Sequence, residues 1–468
     1  MNMSKQKLIV LMVGALAVWA QSAIAGVSAE EAKQLGTALT EFGAEKSANK
    51  DGSIPAYTGG VEKVTGFDRK SGHYVDPFKG EKAQYSVNAK NMTQYDALLT
   101  PGTKAMMAIH PDFRIDVYPT HRSMRYTKPV LQNTVKNAST AKLGGTVEGD
   151  SLEGADKGNL PFAGIPFPIP KTGLEVMWNN HLRFSAAVVH EKTNAYMVDA
   201  GGNASPLPSP DQYFMHPWYD VNGTLRSKTF DAYFGFSSLM TSPPSSAGIV
   251  FLNYYLPNKS NGGQKVWFYT PGQRRVRLAP EFAYDVPIAS YGGVAMWDEL
   301  YGFVGRMDRF DFKLVGKKEM LVPYNMYHLL NDSLAKDSVG SKFINPAAMR
   351  WEKHRVWVVD AARKANSRHA YSRRTFYVDE DCWCIVANEG YDNAGKVWRT
   401  TFVHSMPTYD TGGIFMNSFS TYDLVKGNYF MLNTHHREST DAGIWAYDTA
   451  EGLPINLTPQ AVAAGTLR

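Results

Sequence analysis

The stretch QKVWFYTPGQRRVRLAP, residues 264–280, carries three aromatic residues, a Pro-Gly pair and then three arginines. Aromatic and β-branched residues before the Pro-Gly pair, and arginines interleaved with Val276 and Leu278 after it, are typical of two β-strands joined by a turn. Val266 and Phe268 point to one face of this predicted hairpin, and Trp267 and Tyr269 point to the other. Burying one such ring removes about 150–250 Å² from water, so we expect both faces to be covered.

Strands of this kind occupy most of the chain after residue 184. The segments between them are rich in Gly, Pro, Asn and Asp, as at Pro271-Gly272, and are short enough for hairpin turns. The first pair is predicted as a hairpin with its turn at residues 192–194. Consecutive strands with short turns predict an antiparallel meander, and a sheet of about ten strands has to curl.

The preceding part, residues 26–184, contains helix signals instead. Ser28 with Glu31 forms a capping box, and the apolar spacing predicts a helix that continues to Phe42. The sequence therefore predicts an α+β protein. Residues 185–468 would form a large curled antiparallel sheet, a half-barrel covered by helices, with the helical N-terminal portion packed on it.

A proline-rich strap, residues 160–173, ends the helical portion. Its four prolines forbid a helix and favour an extended conformation. Thr172 with Glu175 then forms a second capping box, which predicts the start of another helix. Phe162 and Phe167 on the strap are predicted to form a fixed wall, with a mobile lid as the alternative.

The first 25 residues are predicted to be a signal peptide. They contain two lysines, an apolar run at residues 8–19 and a small-residue cleavage signal that ends at Ala25. The apolar run is too short to span a bilayer comfortably. Cleavage after Ala25 would release a soluble protein into the periplasm.

Charge and motifs exclude several classes of function. The 49 basic and 44 acidic residues give a formal charge of only +5, without the concentrated basic face of a nucleic-acid-binding protein. No nucleophile elbow, zinc-protease motif or phosphate-binding glycine loop is found. The adjacent His435 and His436 would point to opposite faces of a strand, so they do not predict a shared metal. We predict no catalytic residue, no metal and no organic cofactor.

The remaining acids and cysteines are interpreted as structural. The turn at residues 379–381 carries three acids that are predicted to be solvated, and Asp298-Glu299 is predicted on the solvent face of a helix. Cys382 and Cys384 on one strand would place their α-carbons near the limit of about 7 Å for a disulfide. Two buried thiols are therefore favoured, although an oxidising compartment favours the bridge.

The segment VWFYTPGQRRV, residues 266–276, resembles the W-x-Y-x-P signature of periplasmic lipoprotein carriers and outer-membrane receptors of the LolA/LolB type. GIPFPIPKTGLEVMWN (164–179) and HRVWVVDA (354–361) are similar to a family of bacterial exported proteins of unknown function in that superfamily. This resemblance implies a half-barrel that holds acyl chains on its concave face and implies no catalytic residue. It also implies RND-type exporters and outer-membrane proteins as partners.

Residues and resemblance together predict a monomeric periplasmic carrier or chaperone for a hydrophobic or lipid-like cargo, serving an envelope export system. One alternative is a non-catalytic adaptor of an exporter or outer-membrane complex, with a sheet interior filled by its own helices. The other is a hydrolase that acts on glycans or lipids. The predicted cargo-binding residues are Trp267, Tyr269, Arg275, Arg277, Trp351, Phe162 and Phe167.

The two arginines of this set depend on the hairpin register. A two-residue turn at Pro271-Gly272 would place Arg275 and Arg277 on the same face as Trp267, where they could meet an anionic head group. Solvated strand positions and pairs with acids on neighbouring strands are the alternatives.

Overall fold

The computed structural model describes residues 26–145, 149–258, 263–279, 284–291, 293–435 and 442–465. The predicted signal peptide and its cleavage point lie outside the described residues. Within these ranges, no helix is both long enough and apolar enough to cross a membrane.

The strands differ greatly in length. In chain order they are β1 (Tyr85–Asn88), β2 (Arg114–Val117), β3 (Lys142–Gly144), β4 (Ser151–Glu153), β5 (Val188–Lys192), β6 (Asn194–Val198), β7 (Ala204–Leu207), β8 (Ser209–Met215), β9 (Phe234–Ser242), β10 (Val250–Tyr255), β11 (Gln264–Thr270), β12 (Arg275–Leu278), β13 (Phe310–Pro323), β14 (Trp351–Arg363), β15 (Arg373–Asp379), β16 (Ile385–Tyr391), β17 (Val397–Pro407), β18 (Ile414–Asp423), β19 (Asn428–Thr434) and β20 (Gly443–Tyr447).

The helices are short. They are α1 (Ala29–Ala32), α2 (Pro101–Ile109), α3 (Lys128–Thr140), α4 (Gly173–His181), α5 (Thr224–Lys228), α6 (Ala335–Ser338) and α7 (Pro459–Gly465). Single 3₁₀ turns occur at Arg69–Ser71, Met92–Leu98, Lys157–Asn159, Pro217–Tyr219, Ala289–Tyr291, Trp297–Gly302 and Pro346–Ala348, and a π turn occurs at His328–Asp332.

Two large antiparallel sheets form the body. The eleven-stranded sheet has the order β1-β2-β14-β15-β16-β17-β18-β19-β6-β7, with β13 on the other edge of β14, and the seven-stranded sheet has the order β12-β11-β10-β9-β8-β5-β20. Strand β2 pairs with β14 in parallel, unlike the other strand pairs described in this sheet. The predicted α+β class with large antiparallel sheet structure is confirmed, with the strands divided between two sheets. The predicted boundary at residue 185 stays a prediction.

The chain passes from one sheet to the other at Thr193. The predicted hairpin around this residue is wrong, because β5 pairs with β8 and β20 whereas β6 pairs with β19 and β7. Alternation of apolar side chains identifies a strand but carries no information about its partners, so it does not distinguish a hairpin from a passage between two sheets.

The first predicted helix is also too long. Only Ala29–Ala32 is helical, with the expected capping box between Ser28 and Glu31. Left-handed Gly43 (φ +95°) ends the turns that follow, and a β-carbon there would lie 1.8 Å from the carbonyl oxygen of Pro168. This close approach brings the ring of Phe42 to 4.3 Å from that of Tyr126. Tertiary packing therefore overrides the helical spacing.

Candidate functional site

The two sheets face each other across a space lined by aromatic rings, here called the inter-sheet space. Phe214 on β8 and Phe419 on β18 belong to the same buried apolar cluster. The ring of Tyr301 lies between the sheets, with its centroid 5.2 Å from that of Phe214 and 6.1 Å from that of Phe419. One side chain thus contacts both sheets.

Tyr301 belongs to an irregular segment that fills this space, residues 284–291 and 293–304, here called the plug segment. Its apolar side chains in the space are Ile288, Tyr291, Trp297, Leu300 and Tyr301. The remaining cavity has a volume of about 40 Å³, close to the share of one water molecule. The inter-sheet space is therefore occupied by the protein's own chain.

The plug segment is not the helix that the sequence predicts. Its 3₁₀ stretch breaks at Tyr301, which has a left-handed φ of +53° and is followed by Gly302 at +82°. A β-carbon on Gly302 would lie 3.0 Å from Ile385 on β16, and the side-chain amide of Asn388 donates to the Gly302 carbonyl at 3.1 Å. A tight turn pressed against the eleven-stranded sheet replaces the helix.

Two acids at the start of this turn fasten the plug segment to the eleven-stranded sheet. Arg374 on β15 donates to Asp298 at 2.8 Å, and Arg399 on β17 donates to Glu299 at 3.1 Å. Burial alone would raise the pKa of Asp298, but Arg374 and then His369 bring it below its usual value. The predicted solvent exposure of Asp298 and Glu299 is wrong, because both are buried against these cations.

Polar side chains at one wall of the cavity form a second group. Gln212 donates to Glu191 at 2.9 Å and to Asn433 at 3.2 Å, and the His435 Nε2 lies 3.0 Å from the other oxygen of Glu191. Gln212 and Asn433 line the cavity directly. This wall offers hydrogen bonds in otherwise apolar surroundings, as small-molecule sites commonly do.

Two ionisable side chains behind this wall, Glu191 and His435, are shifted toward their neutral forms. Burial raises the pKa of Glu191 well above its usual value, and burial lowers the pKa of His435 to about 3. Both side chains are fully buried, so we describe their contact as a hydrogen bond between neutral groups rather than an ion pair. Perturbed pKa values in a cavity wall are typical of binding sites.

A different arrangement surrounds the acids at residues 379–381. Arg122 holds Asp381 with two donors at 2.6 and 2.9 Å, and Glu380 accepts from Lys317 at 2.7 Å and from Arg355 at 3.1 Å. We call these five side chains the charge-paired layer. The predicted solvation of Asp379, Glu380 and Asp381 is wrong, because their counter-charges come from distant parts of the chain and bury them.

Next to this layer, His354 lies between two carboxylates. Its Nε2 is 3.1 Å from Glu352 and its Nδ1 is 3.0 Å from Asp379. Burial alone would lower the pKa of His354, but Asp379 and Glu352 raise it to about 10. Ligand atoms of His354, Asp379 and Asp381 lie within 4.8 Å of one another. The protonated imidazole and Arg122 already balance these acids, so the cluster does not require a cation.

Cys382 and Cys384 form a disulfide, contrary to the favoured pair of thiols. Their α-carbons are 5.2 Å apart, well inside the bridging range. The reason is Trp383 between them, whose left-handed φ of +54° turns the chain. The segment is therefore not an extended strand, which is the conformation that the sequence predicts.

Trp267 and Tyr269 lie on the outer face of the seven-stranded sheet, away from the inter-sheet space. Tyr269 is buried opposite Val250, and helix α7 packs over β10, β11 and β12. Trp267 is half-buried, with its ring 6.0 Å from that of Phe230. The C-terminal segment covers this face, and the cargo-binding role of both residues stays a prediction.

Arg275 and Arg277 lie on the other face of β12. The turn between the strands spans residues 271–274, so Arg275 is opposite Thr270 and Arg277 is opposite Phe268. The predicted two-residue turn is therefore wrong, and so is the predicted face. A two-residue turn would pair Arg275 with Phe268 and would leave both arginines on this same face, because cross-strand partners share a face of the sheet. Both arginines are exposed, and no ion pair of theirs is found in the described part of the chain.

The other predicted cargo-binding residues are also apart from the inter-sheet space. Trp351 is fully buried, with its ring 5.1 Å from that of Phe402. Phe402 points away from the plug segment, because its strand neighbour Val403 faces Gly302.

The strap that carries Phe162 and Phe167 is bonded in place. Asn137 on α3 bonds both main-chain groups of Phe162, and Asn179 on α4 bonds those of Phe167. These contacts favour the fixed wall over the mobile lid. No residue of the predicted cargo-binding set lines the inter-sheet cavity as far as the structure describes the chain, and their role stays a prediction.

Sequence reasoning missed Glu191, Gln212, His435 and Tyr301. One signal was available for Glu191: in the alternating strand VVHEK it occupies the same face as the apolar Val189. An acid on the apolar face of a strand indicates a buried polar site. Tyr301 gave no such signal, because its position depends on the irregular turn.

Comparison with known proteins identifies the family of the chain. The family described as "Protein of unknown function (DUF1329)" matches residues 86–463. An uncharacterized protein of Pseudomonas aeruginosa is 37% identical over 428 residues, which are 91% of this chain and 91% of that protein. These matches confirm the family predicted from the sequence.

Two solved structures are similar at low identity. A DUF1329 family protein from Desulfovibrio piger is 12% identical, over 53% of this chain and 83% of that chain, with a TM-score of 0.33. A LolA superfamily protein from Nitrosomonas europaea is 9% identical, over 56% of this chain and 90% of that chain, with a TM-score of 0.32.

Proposed function

The chain belongs to the family of proteins of unknown function DUF1329, and from its own geometry we propose that it is a carrier for an apolar molecule. The observation that carries the proposal is the inter-sheet space, which is lined by aromatic rings, has one polar wall and is filled by an irregular segment instead of a regular element. Regular packing would close such a space with a helix or a strand.

In this proposal, the plug segment occupies the cargo site in the cargo-free state. Asp298 and Glu299 fasten the plug segment to β15 and β17 of the eleven-stranded sheet. Its contacts with the seven-stranded sheet are apolar ring contacts, such as Tyr301 on Phe214 and Phe234. Cargo therefore enters between the plug segment and the seven-stranded sheet, where the ion pairs of Asp298 and Glu299 stay intact.

Binding would replace one set of apolar contacts with another, so only a small free-energy difference has to separate the closed and loaded states. The wall of Gln212 and Asn433 would then bond a polar group of the cargo. Release follows when a partner or a membrane takes up the cargo and the plug segment returns.

The test is native mass spectrometry with lipid extraction, applied to protein purified from the periplasm. We expect an apolar ligand on part of the population. Leu300→Ala enlarges the inter-sheet cavity and should raise the affinity for a fluorescent fatty acid. Leu99→Ala, which empties an equally buried position elsewhere, should leave that affinity unchanged.

Two results would contradict the carrier function: purified protein without any extractable apolar ligand, and no binding of the fluorescent fatty acid by either variant. A filled interior is also what the adaptor alternative expects, and that pair of results would favour it.

The same proposal includes export and release into the periplasm, and partners in an RND-type exporter and the outer membrane. The exported protein should have the mass of a chain that begins at Gly26. Retention of residues 1–25 in the purified protein would contradict release.

A further inference from the structure

Among the described residues, Arg183 is a buried cation without a counter-charge. It follows the C-terminal end of α4, and only 4% of its surface is exposed. Its Nη1 donates to the carbonyl of Asn180 at 2.9 Å, and its Nε is buried without a hydrogen-bond partner in the described part of the chain. A buried guanidinium is costly unless a carboxylate or another anion balances it.

The other buried arginines are balanced by carboxylates. Six arginines are buried among the described residues, and five of them form an ion pair with a carboxylate: Arg122, Arg350, Arg355, Arg374 and Arg399. Arg183 forms none with any residue that the structure describes. Burial alone therefore does not explain the missing ion pair, and the cause lies in the surroundings of Arg183.

The surroundings of Arg183 are aromatic. Burial lowers its pKa to about 10, against the opposing effect of the hydroxyls of Tyr233, Tyr219 and Tyr301. Arg183 is therefore still protonated at neutral pH. Burial and then the charge of Arg183 lower the pKa of His216 to about 3, so this histidine is neutral and adds no second charge.

Arg183 is not among the described residues that line the inter-sheet cavity. Its charge acts on the hydroxyl of Tyr301, whose ring lies in the inter-sheet space against Phe214. Among the described residues, Glu191 contacts His435 and Gln212 and forms no ion pair with Arg183. Burial also disfavours the charged form of Glu191, which lessens its repulsion of an anion that enters with an apolar chain.

We propose that Arg183 binds the oxyanion head group, a carboxylate or a phosphate, of the apolar cargo. This inference rests on the proposed carrier function and names the class of its cargo. The guanidinium presents several donors in a plane and suits both head groups. In the loaded state, the head group would supply the counter-charge that the described part of the protein lacks.

The experiment compares three probes on the full mature chain: 11-(dansylamino)undecanoic acid, its methyl ester, and dodecyl phosphate as a competitor. Charge-assisted hydrogen bonds to a buried cation should give the acid an affinity about tenfold or more above that of the ester. Arg183→Met should abolish this preference. Competition by dodecyl phosphate separates a phosphate site from a carboxylate-selective one.

Arg374→Met is the matched control, because Arg374 is equally buried but paired with Asp298. Thermal unfolding should show a lower midpoint for Arg374→Met and an unchanged or higher midpoint for Arg183→Met, which removes an unbalanced charge. A purely structural Arg183 would instead lower the midpoint as Arg374→Met does.

The outcomes separate this inference from the function on which it rests. Equal affinity for acid and ester in the wild type, or an unchanged preference in folded Arg183→Met, overturns the head-group site and leaves the carrier intact. Failure of the wild type to bind any of the three probes overturns both.

Discussion

Buried ionisable groups have opposite surroundings in the charge-paired layer and at the inter-sheet space. In the layer, Arg122, Lys317 and Arg355 are each held by acids. Beside the space, Arg183 forms no ion pair with any described residue, and burial disfavours the charged form of Glu191. An ion pair between two buried groups fixes the relative position of the elements that carry them. A buried charge without an ion pair can still bind a ligand of opposite charge. On the proposed carrier function, the layer holds the fold together and the inter-sheet space takes up the cargo.

Two histidines show the same contrast. His354 and His435 are both buried beside a glutamate, at 3.1 and 3.0 Å. The pKa of His354 is raised to about 10, because two carboxylates outweigh burial, and burial lowers the pKa of His435 to about 3. The protonation states therefore depend on the region and not on the residue type.

The largest expected effect comes from breaking the charge-paired layer. Arg122→Met leaves Asp381 and Glu380 buried without one of their cations, and we expect a loss of about 3–5 kcal/mol in the free energy of unfolding. Urea denaturation measures it. Arg275→Met, at an exposed strand position, is the control and should change that free energy by less than about 0.5 kcal/mol. Similar small values for both variants would show that the layer does not hold the fold.

The next effect is a pH dependence caused by His354. The folded protein keeps the proton of His354 up to about pH 10, whereas the unfolded chain releases it above the ordinary histidine pKa of 6.5. This contribution to stability is complete below pH 6.5 and is lost as the pH rises through 10. Between about pH 7 and 9, we expect a decrease of about 1.4 kcal/mol per pH unit in the free energy of unfolding.

Denaturation at several pH values in this range measures the slope for His354. His354→Gln removes the titrating group and should have a nearly flat profile over the same range. An equally steep profile in the variant would assign the slope to another group.

The smallest effect is expected in the inter-sheet space. Glu191→Gln replaces a neutral acid by a neutral amide of the same shape, and it can keep the contacts with Gln212 and His435. We expect the free energy of unfolding at neutral pH to change by less than about 1 kcal/mol. A loss as large as that of Arg122→Met would mean that Glu191 is ionised and paired, and the contrast between the regions would fail.

Local patterns in the sequence were sufficient for the capping boxes, the extended strap and most strands, because these depend on neighbouring residues. Long-range features were not predictable in this way. The acids at residues 379–381 are buried because Arg122 and Lys317, which are distant in sequence, reach them. The lack of an ion pair for Arg183 among the described residues was equally unpredictable, since it appears only in three dimensions.

Backbone conformations at single residues explain the other differences. Trp383 in the left-handed region closes the distance between the cysteines, and the pairing of β11 with β12 places Arg275 opposite Thr270 and Arg277 opposite Phe268. A shift of one residue reverses every side chain of a strand. The candidate site was missed for a related reason, because an irregular turn places Tyr301 between the sheets.

The passage of the chain between the sheets at Thr193 has a mechanical consequence. A second short crossing, at Pro208, joins β7 to β8, so single residues connect the sheets at two neighbouring points. These points define an axis beside β5 and β8. Strand β12 lies four strands from β8, about 19 Å at the usual spacing. A rotation of about 10° around this axis would move β12 by about 3 Å while β8 hardly moves. A small rotation of one sheet against the other would thus displace the far edge of the seven-stranded sheet most.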